Sequence, residues 1–261
     1  MPIDHFIINL FCRVESHLGP VARHPQEKLA LSELLTLGLL FALKGVGKRA
    51  FYRWVRANWL SFFPDLPERT RLFRRLTTQS RWTKTLLAEP TILGVADSYG
   101  IELLHPRREG RTREQLGTKG LSNKRWIVGA KFYFIANQFG RIVDWDIDQA
   151  HVHDTRFLPL IAKYEERMIV FTDEGSISKD FKPTNLRPCP KGVWNDRMLV
   201  ETIGSMLTLF CHTKKMMERK AAPLIARLAY LVAIFNLMVD WEGMVVQEGG
   251  FVPMRLARVD L

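Results

Sequence analysis

Cysteine is scarce in this chain, and Cys12, Cys189 and Cys211 are odd in number and widely spaced. A disulfide framework is therefore not expected, and a reducing cytoplasm is the expected compartment. No apolar run approaches the roughly 20 residues that span a bilayer, and the start, MPIDHFIINLFCRVE, carries an early acid and no basic leader, unlike a secretory signal. Internal repeats and low-complexity tracts are missing as well, so neither a repeat array nor a largely disordered chain is expected. Acid is the scarcer charge: 38 Lys and Arg stand against 27 Asp and Glu, a net of +11. That surplus points to a polyanionic partner, nucleic acid ahead of membrane.

What is present is unevenly distributed. Residues 44–84 hold eleven Lys and Arg against two acids, in a region whose apolar spacing is helical. Helices are predicted over 4–18, 27–45, 48–60 and 68–87. After Pro90 the texture becomes strand-like, with strands predicted at 91–97, 126–137, 141–147 and 168–173 and a hairpin turn around Gln138–Gly140. Residues 153–167 read as helical in their second half, 179–194 as a proline-punctuated loop, and 195–215 and 222–241 as helices. The order implies a helical N-terminal module, residues 1–88, followed by an α/β body of mixed sheet with helices packed on it, residues 89–261.

In a chain this basic, the acids at strand ends stand out. The predicted strands 91–97 and 168–173 both run into an aspartate, Asp97 and Asp173, and the rim of an open sheet is where ligand sites form. Glu201 lies off the apolar stripe of the next helix, on a narrower face with Arg197, Gly204 and Thr208. Hard divalent cations take oxygen ligands, and a two-ion site needs several carboxylates converging beside small residues; Ser98, Gly175 and Thr202 follow the three acids. The bland readings are a turn former after each strand and an i,i+4 pair of Arg197 with Glu201. Glu102, Asp144, Asp146, Asp148 and Glu174 are expected to be surface or hairpin acids.

The runs VADSYGIEL (95–103), KRWIVGAKFYFIANQFGRIVDWDIDQAHVHD (124–154), FTDEGS (171–176) and RMLVETIGSML (197–207), in that order, resemble bacterial insertion-sequence transposases of the DDE type, in the IS982-like group related to IS4 and IS5. The resemblance covers nearly the whole chain. It implies a ribonuclease-H-like catalytic domain in which Asp97, Asp173 and Glu201 hold two Mg²⁺ ions (Mn²⁺ substituting) and cleave DNA at the element's ends before joining the freed 3′-OH to target DNA. Arg197 matches the family's basic residue one turn before the glutamate. The interval of 28 positions from Asp173 to Glu201 leaves no room for a large insertion domain. Where relatives carry Gly–Tyr after the second aspartate this chain has Gly175–Ser176, and Thr208 stands where a lysine is common. HVHD (151–154) matches the family's helix-start turn, with Asp154 expected as the N-cap, and the spacing of Cys189, Cys211 and His212 fits no structural zinc pattern.

The implied partner is double-stranded DNA, held by a homodimer on paired ends, in the bacterial cytoplasm and on the nucleoid when bound. Candidate phosphate contacts are Arg107, Arg108, Arg111, Arg113, Lys119, Lys124 and Arg125 after the first acid, Lys48, Arg49, Arg53 and Arg56 in the helical DNA-binding module, and Lys214 and Lys215 beyond the glutamate. The aromatics at 51–63 are open to either reading, module core or stacking platform. Three alternatives fit the same residues less fully: an inactive or domesticated relative that only binds DNA, a nuclease of the same fold that cuts without joining, and an RNA-associated basic protein, which leaves the ordered acids unexplained.

Overall fold

A computed structural model of the chain describes residues 2–21, 27–111, 114–122, 125–189, 195–209, 212–216 and 218–242. Its centre is strand β1 (Leu93–Leu104), paired antiparallel along one edge with the long β3 (Arg125–Asn137). The far edge of β3 is shared end to end: β2 (Thr118–Ser122) pairs with Arg125–Gly129, and β4 (Ile142–Gln149) continues from Ala130 to Ala136. On the other edge of β1 runs β5 (Ile169–Thr172), parallel to it, and then β6 (Leu186–Pro188), parallel to β5. The result is a mixed six-stranded sheet flanked by helices. β3 is buried on both faces for most of its length, which is why it reads as a nearly continuous apolar run. The predicted hairpin is present, with Gly140 at φ 77° and the buried Asn137 carboxamide accepting from Phe139 and Arg141 N–H.

Several elements differ from the sequence expectation, each for a physical reason. β1 does not stop at Asp97. It runs on to Leu104 because Ser98–Leu104 still has β3 as a partner, while β5 leaves the other edge after the Val95–Phe171 pair. Residues 153–167 are helical at their start: a 3₁₀ turn at Asp154–Phe157 leads into α5 (Leu158–Ala162), and looser turns then bring the chain back to β5. α6 (Asn195–Leu209) ends short of 215, since Lys214–Met216 is drawn into an extended bridge beside Glu102 of β1. β2, hidden in the basic stretch, has little apolar signal of its own and is fixed by pairing with β3.

The N-terminal helices are α1 (Ile3–Leu18), α2 (Leu31–Lys44), α3 (Lys48–Asn58) and α4 (Arg69–Gln79), the last continued by a 3₁₀ segment, Ser80–Leu86. α2, α4 and the 3₁₀ segment pack directly on α7 (Ala221–Glu242), with α1 and α3 leaning on α2 and α4, so the core of the first 88 residues includes a helix from the far end of the chain. α7 is long and apolar enough, by length and composition, to cross a membrane, beyond what the apolar runs in the sequence suggested; 78% of that stretch is buried inside the protein. α2 approaches α7 closely at Gly38, where a Cβ would penetrate the ring of Tyr230. That ring is itself 1% exposed and its hydroxyl donates to Leu76 O at 3.0 Å. Gly38→Ala gains up to about 1 kcal/mol in helix propensity and loses roughly 1–3 kcal/mol to overpacking against an immobile ring. A net loss is expected, read as a lower urea midpoint; a raised midpoint contradicts the packing.

Candidate active site

The parallel register Val95–Phe171 decides where the two aspartates go. Asp97 and Asp173 each lie two residues further on, so they emerge from neighbouring strands on the same face of the sheet. They sit where β5 parts from β1, at a strand-end crevice of the kind that holds ligands in open α/β sheets. Both line one small pocket, with about 10 Å³ of free space, walled by Val95, Phe171, Thr172, Cys189 and Val200 of α6. That is room for a single body of water size. Asp97 accepts from the Ser98 N–H at 2.7 Å, and Asp173 accepts from the Ser176 hydroxyl at 3.3 Å. Glu174 points to solvent. A Cβ on Gly175 would stand 3.3 Å from the Asp173 carboxylate, so glycine leaves that group its space.

A third carboxylate lies behind the pair. Ser98 faces Tyr133 across the β1–β3 ladder, with Lys131 two residues before Tyr133 on the same face. Asp154 accepts from the Ser98 hydroxyl at 2.8 Å and from Lys131 Nζ at 2.9 Å. The N-cap of its 3₁₀ turn is His153, whose ring accepts from Thr155 N–H, so Asp154 is not the cap that its position suggested. The Tyr133 hydroxyl is buried beside Ser176 without a hydrogen bond of ordinary geometry. Burial first, then the charges of Asp154, Asp97 and Asp173, push its ionisation well above the usual phenol value. Sequence reading missed Asp154, Lys131 and Tyr133 as neighbours of the pair; the period-2 spacing of Lys131 and Tyr133 opposite Ser98 was the available signal.

Tyr164 and Tyr230 are likewise held up by burial, Tyr164 with help from Asp144. A phenol raised in the folded state leaves stability unaffected while both states are protonated, below about pH 10, and stability falls as pH climbs from that unfolded value toward the higher folded one. Three of the five tyrosines are therefore expected to stay protonated in the folded protein at about pH 11. Ultraviolet absorbance titration, with and without denaturant, measures this; ionisation of all five in the folded state contradicts it.

The remaining predicted residues separate into groups. Glu201 is exposed on α6, one residue past Val200, and is not turned into the pocket. Among the described residues no three His, Cys, Asp or Glu side chains close around a common point as a metal cage would. The side chains of Arg197, Arg113 and Lys124 lie outside the described residues. Glu102, expected at the surface, is buried and paired with Arg125 at 2.7 Å and Lys215 at 3.6 Å, so Arg125, though exposed, already has an acidic partner. Asp144 is tied to Lys163 and the Tyr164 hydroxyl, and Asp148 to Arg156. Lys119 is exposed, its Nζ 5.3 Å from the ring of Trp126.

In α3, Phe51 and Val55 are buried while Arg49, Arg53 and Arg56 form one exposed stripe. Lys48 is turned inward to Glu218 at 3.0 Å. The aromatics of this region are core: Phe41, Phe51, Trp54, Trp59 and Phe62 contact one another in a chain of rings. Arg107, Arg108 and Arg111 stand beyond the far end of β1, with Lys214 and Lys215 from the segment after α6. No protein-family model matches the chain, and no curated protein matches it significantly.

The donor set suits a hard cation in kind. Two carboxylates share one pocket, and the Thr172 hydroxyl on its wall is buried without a partner among the described residues. Asp97 and Asp173 are the residues that could hold such an ion, with α6 the element able to bring in a further oxygen.

Proposed function

We propose that this chain is a metal-dependent DNA transposase of the DDE type, acting on insertion-sequence ends and joining the 3′-OH to target DNA. One observation carries the reading: Asp97 and Asp173 emerge side by side in one pocket beneath α6, at the point where β1 and β5 part. The sheet supports it, since an antiparallel β1–β3–β4 set extended by parallel β5 and β6 is the arrangement a ribonuclease-H-like domain has. The exposed basic residues elsewhere on the protein then serve the DNA.

In this reading Asp97 and Asp173 would hold Mg²⁺, with Glu201 of α6 as the further carboxylate ligand. There the site would gain Lewis-acid stabilisation of the phosphodiester and a water of lowered pKa from such an ion. Ser98 N–H and Ser176 fix the two carboxylates, while Lys131 and Ser98 neutralise and hold Asp154 behind them. Tyr133 stays a neutral phenol in this acidic setting. The exposed α3 stripe is the candidate reader of the terminal repeats, and two copies pair the two ends.

A second reading has its own observation. Glu201 faces solvent, and Ser176 stands where the transposase family that the sequence resembles carries tyrosine, which fits a protein that binds DNA and does not cut it. Incubating the protein with a duplex that carries the DNA flanking its gene, in Mg²⁺, separates the two. Cleaved and joined strands support the transposase, cleavage without joining identifies a nuclease, and binding alone identifies the inactive relative.

A further inference from the structure

The second concentration of charge lies away from the acid pair. Arg107, Arg108, Arg111, Lys215 and Arg219, with His105, line a single cleft of about 530 Å³ floored by Leu103 and Leu104. They come from two distant segments: the turn after β1, and the stretch between α6 and α7, brought in by the Glu102–Lys215 bridge. Nothing in the sequence joins Arg219 to Arg107. Leu103 lies six positions along β1 from Asp97, about 20 Å at 3.3 Å per residue, so the cleft is not the acid pair's own phosphate contact.

Its charge is poorly balanced by the protein. Among the described residues Arg107, Arg108, Arg111 and Arg219 form no ion pair, and Lys215 has only Glu102 at 3.6 Å. Glu218, on the adjoining wall, is already committed to Lys48 at 3.0 Å and Arg227 at 3.4 Å. Glu114 is exposed in a neighbouring pocket that shares Arg108, Arg111 and Arg219 with the cleft. Like charges gathered in one concavity repel, and the field they focus attracts a polyanion. Guanidinium groups in particular match phosphate oxygens in paired geometry.

We infer that this cleft binds the phosphate backbone of a nucleic acid, as an anchor about 20 Å from the acidic pocket. The inference deepens the DNA-acting reading and rests on it for the identity of the polyanion. With about 530 Å³ and four guanidinium groups and one ammonium drawn from two segments, the cleft offers several phosphate contacts side by side, which suits a continuous strand better than a free nucleotide.

The test uses the full chain, a fluorescent duplex, EDTA to suppress cleavage, and anisotropy over a series of salt concentrations. For the variant Arg107→Ala/Arg108→Ala/Arg219→Ala, binding is expected to weaken on the order of tenfold or more. The log–log salt slope should become shallower by about 0.9 for each phosphate no longer neutralised, roughly 2.7 in all. The exposed charge reversal Arg219→Glu, checked by circular dichroism and thermal melting, guards against misfolding as the cause and is expected to weaken binding too. Wild-type affinity and slope in both variants overturn the inference, as does loss of binding confined to Arg49→Ala/Arg53→Ala/Arg56→Ala. Calorimetric binding of tripolyphosphate with no binding of duplex or single strand overturns the nucleic-acid identity. Cleavage is scored separately on wild type in Mg²⁺. A cutting enzyme whose cleft variants bind normally refutes the cleft alone, and a cleft-dependent binder that never cuts refutes the transposase alone.

Discussion

Asp97→Asn is expected to abolish Mg²⁺-dependent cleavage of DNA while leaving DNA binding unchanged. Asparagine keeps the size of the side chain and an oxygen for the Ser98 N–H, which Asp97 accepts at 2.7 Å. It removes the negative charge from a pocket whose other carboxylate, Asp173, cannot by itself neutralise a divalent ion. Metal assistance is worth several kcal/mol at the transition state, so a fall of about a thousandfold or more follows. The basic residues are remote from the change and should bind DNA as before. Gel analysis of cleavage beside anisotropy of binding gives both readouts. Cleavage retained near wild-type rate would remove Asp97 from the chemistry; parallel loss of binding would show that the substitution damaged the fold instead.

The second large effect concerns stability and lies on α7. Asn236 is 4% exposed, and its carboxamide accepts from Ile142 N–H at 2.7 Å while donating to Ile142 O at 2.8 Å and Leu86 O at 3.0 Å. It thereby joins the helix to the start of β4 and the end of the 3₁₀ segment before β1. Asn236→Leu, close in volume, strands the Ile142 N–H and the Leu86 carbonyl, while the Ile142 carbonyl keeps the Ala88 N–H at 3.0 Å. Each buried orphan costs about 1–3 kcal/mol, offset in part by the greater apolarity of leucine. A net loss near 3 kcal/mol is expected, a large fraction of a typical 5–15 kcal/mol. Melting should drop by roughly 6–12 °C. An unchanged melting temperature would show that the amide is dispensable and that apolar packing alone joins α7 to the sheet.

Much of this architecture is legible from residue pattern. The long two-sided apolar run at 126–137 announces a central strand, and Gly140 with Asn137 announces its turn. Asp173 can be placed because its strand stops one residue before it. Asp97 is harder, because the apolar signal fades at Asp97–Ser98–Tyr99–Gly100 although backbone pairing to β3 continues. Strand ends set by the loss of a neighbour rather than by composition leave little mark in sequence. The same holds for α7, whose apolarity is plain but whose role as the centre of the N-terminal helices depends on contacts across some two hundred positions, such as Tyr230 with Gly38. Asp154 resembles a helix cap because His153–Asp154–Thr155 permits either of the first two residues to cap, and only the approach of Ser98 and Lys131 decides between them.

Charge is legible in amount and misleading in detail. Lys48 and Arg125 sit in basic stretches yet are engaged by the buried acids Glu218 and Glu102. Arg219, which no feature of the sequence sets apart, lies with Arg107 and Arg108 in the cleft. A basic run shows surplus charge; only the fold tells which of its cations are already paired within the protein.

If the Asp97–Asp173 pocket cuts DNA with a bound divalent ion, the most direct measurement is a strand-transfer assay on a duplex carrying the gene's own flanking sequence, comparing Mg²⁺ with EDTA and wild type with Asp97→Asn. The prediction is cleaved ends and joined products with wild type in Mg²⁺ only. Tight binding of the duplex with neither product, in Mg²⁺ or Mn²⁺, would contradict it.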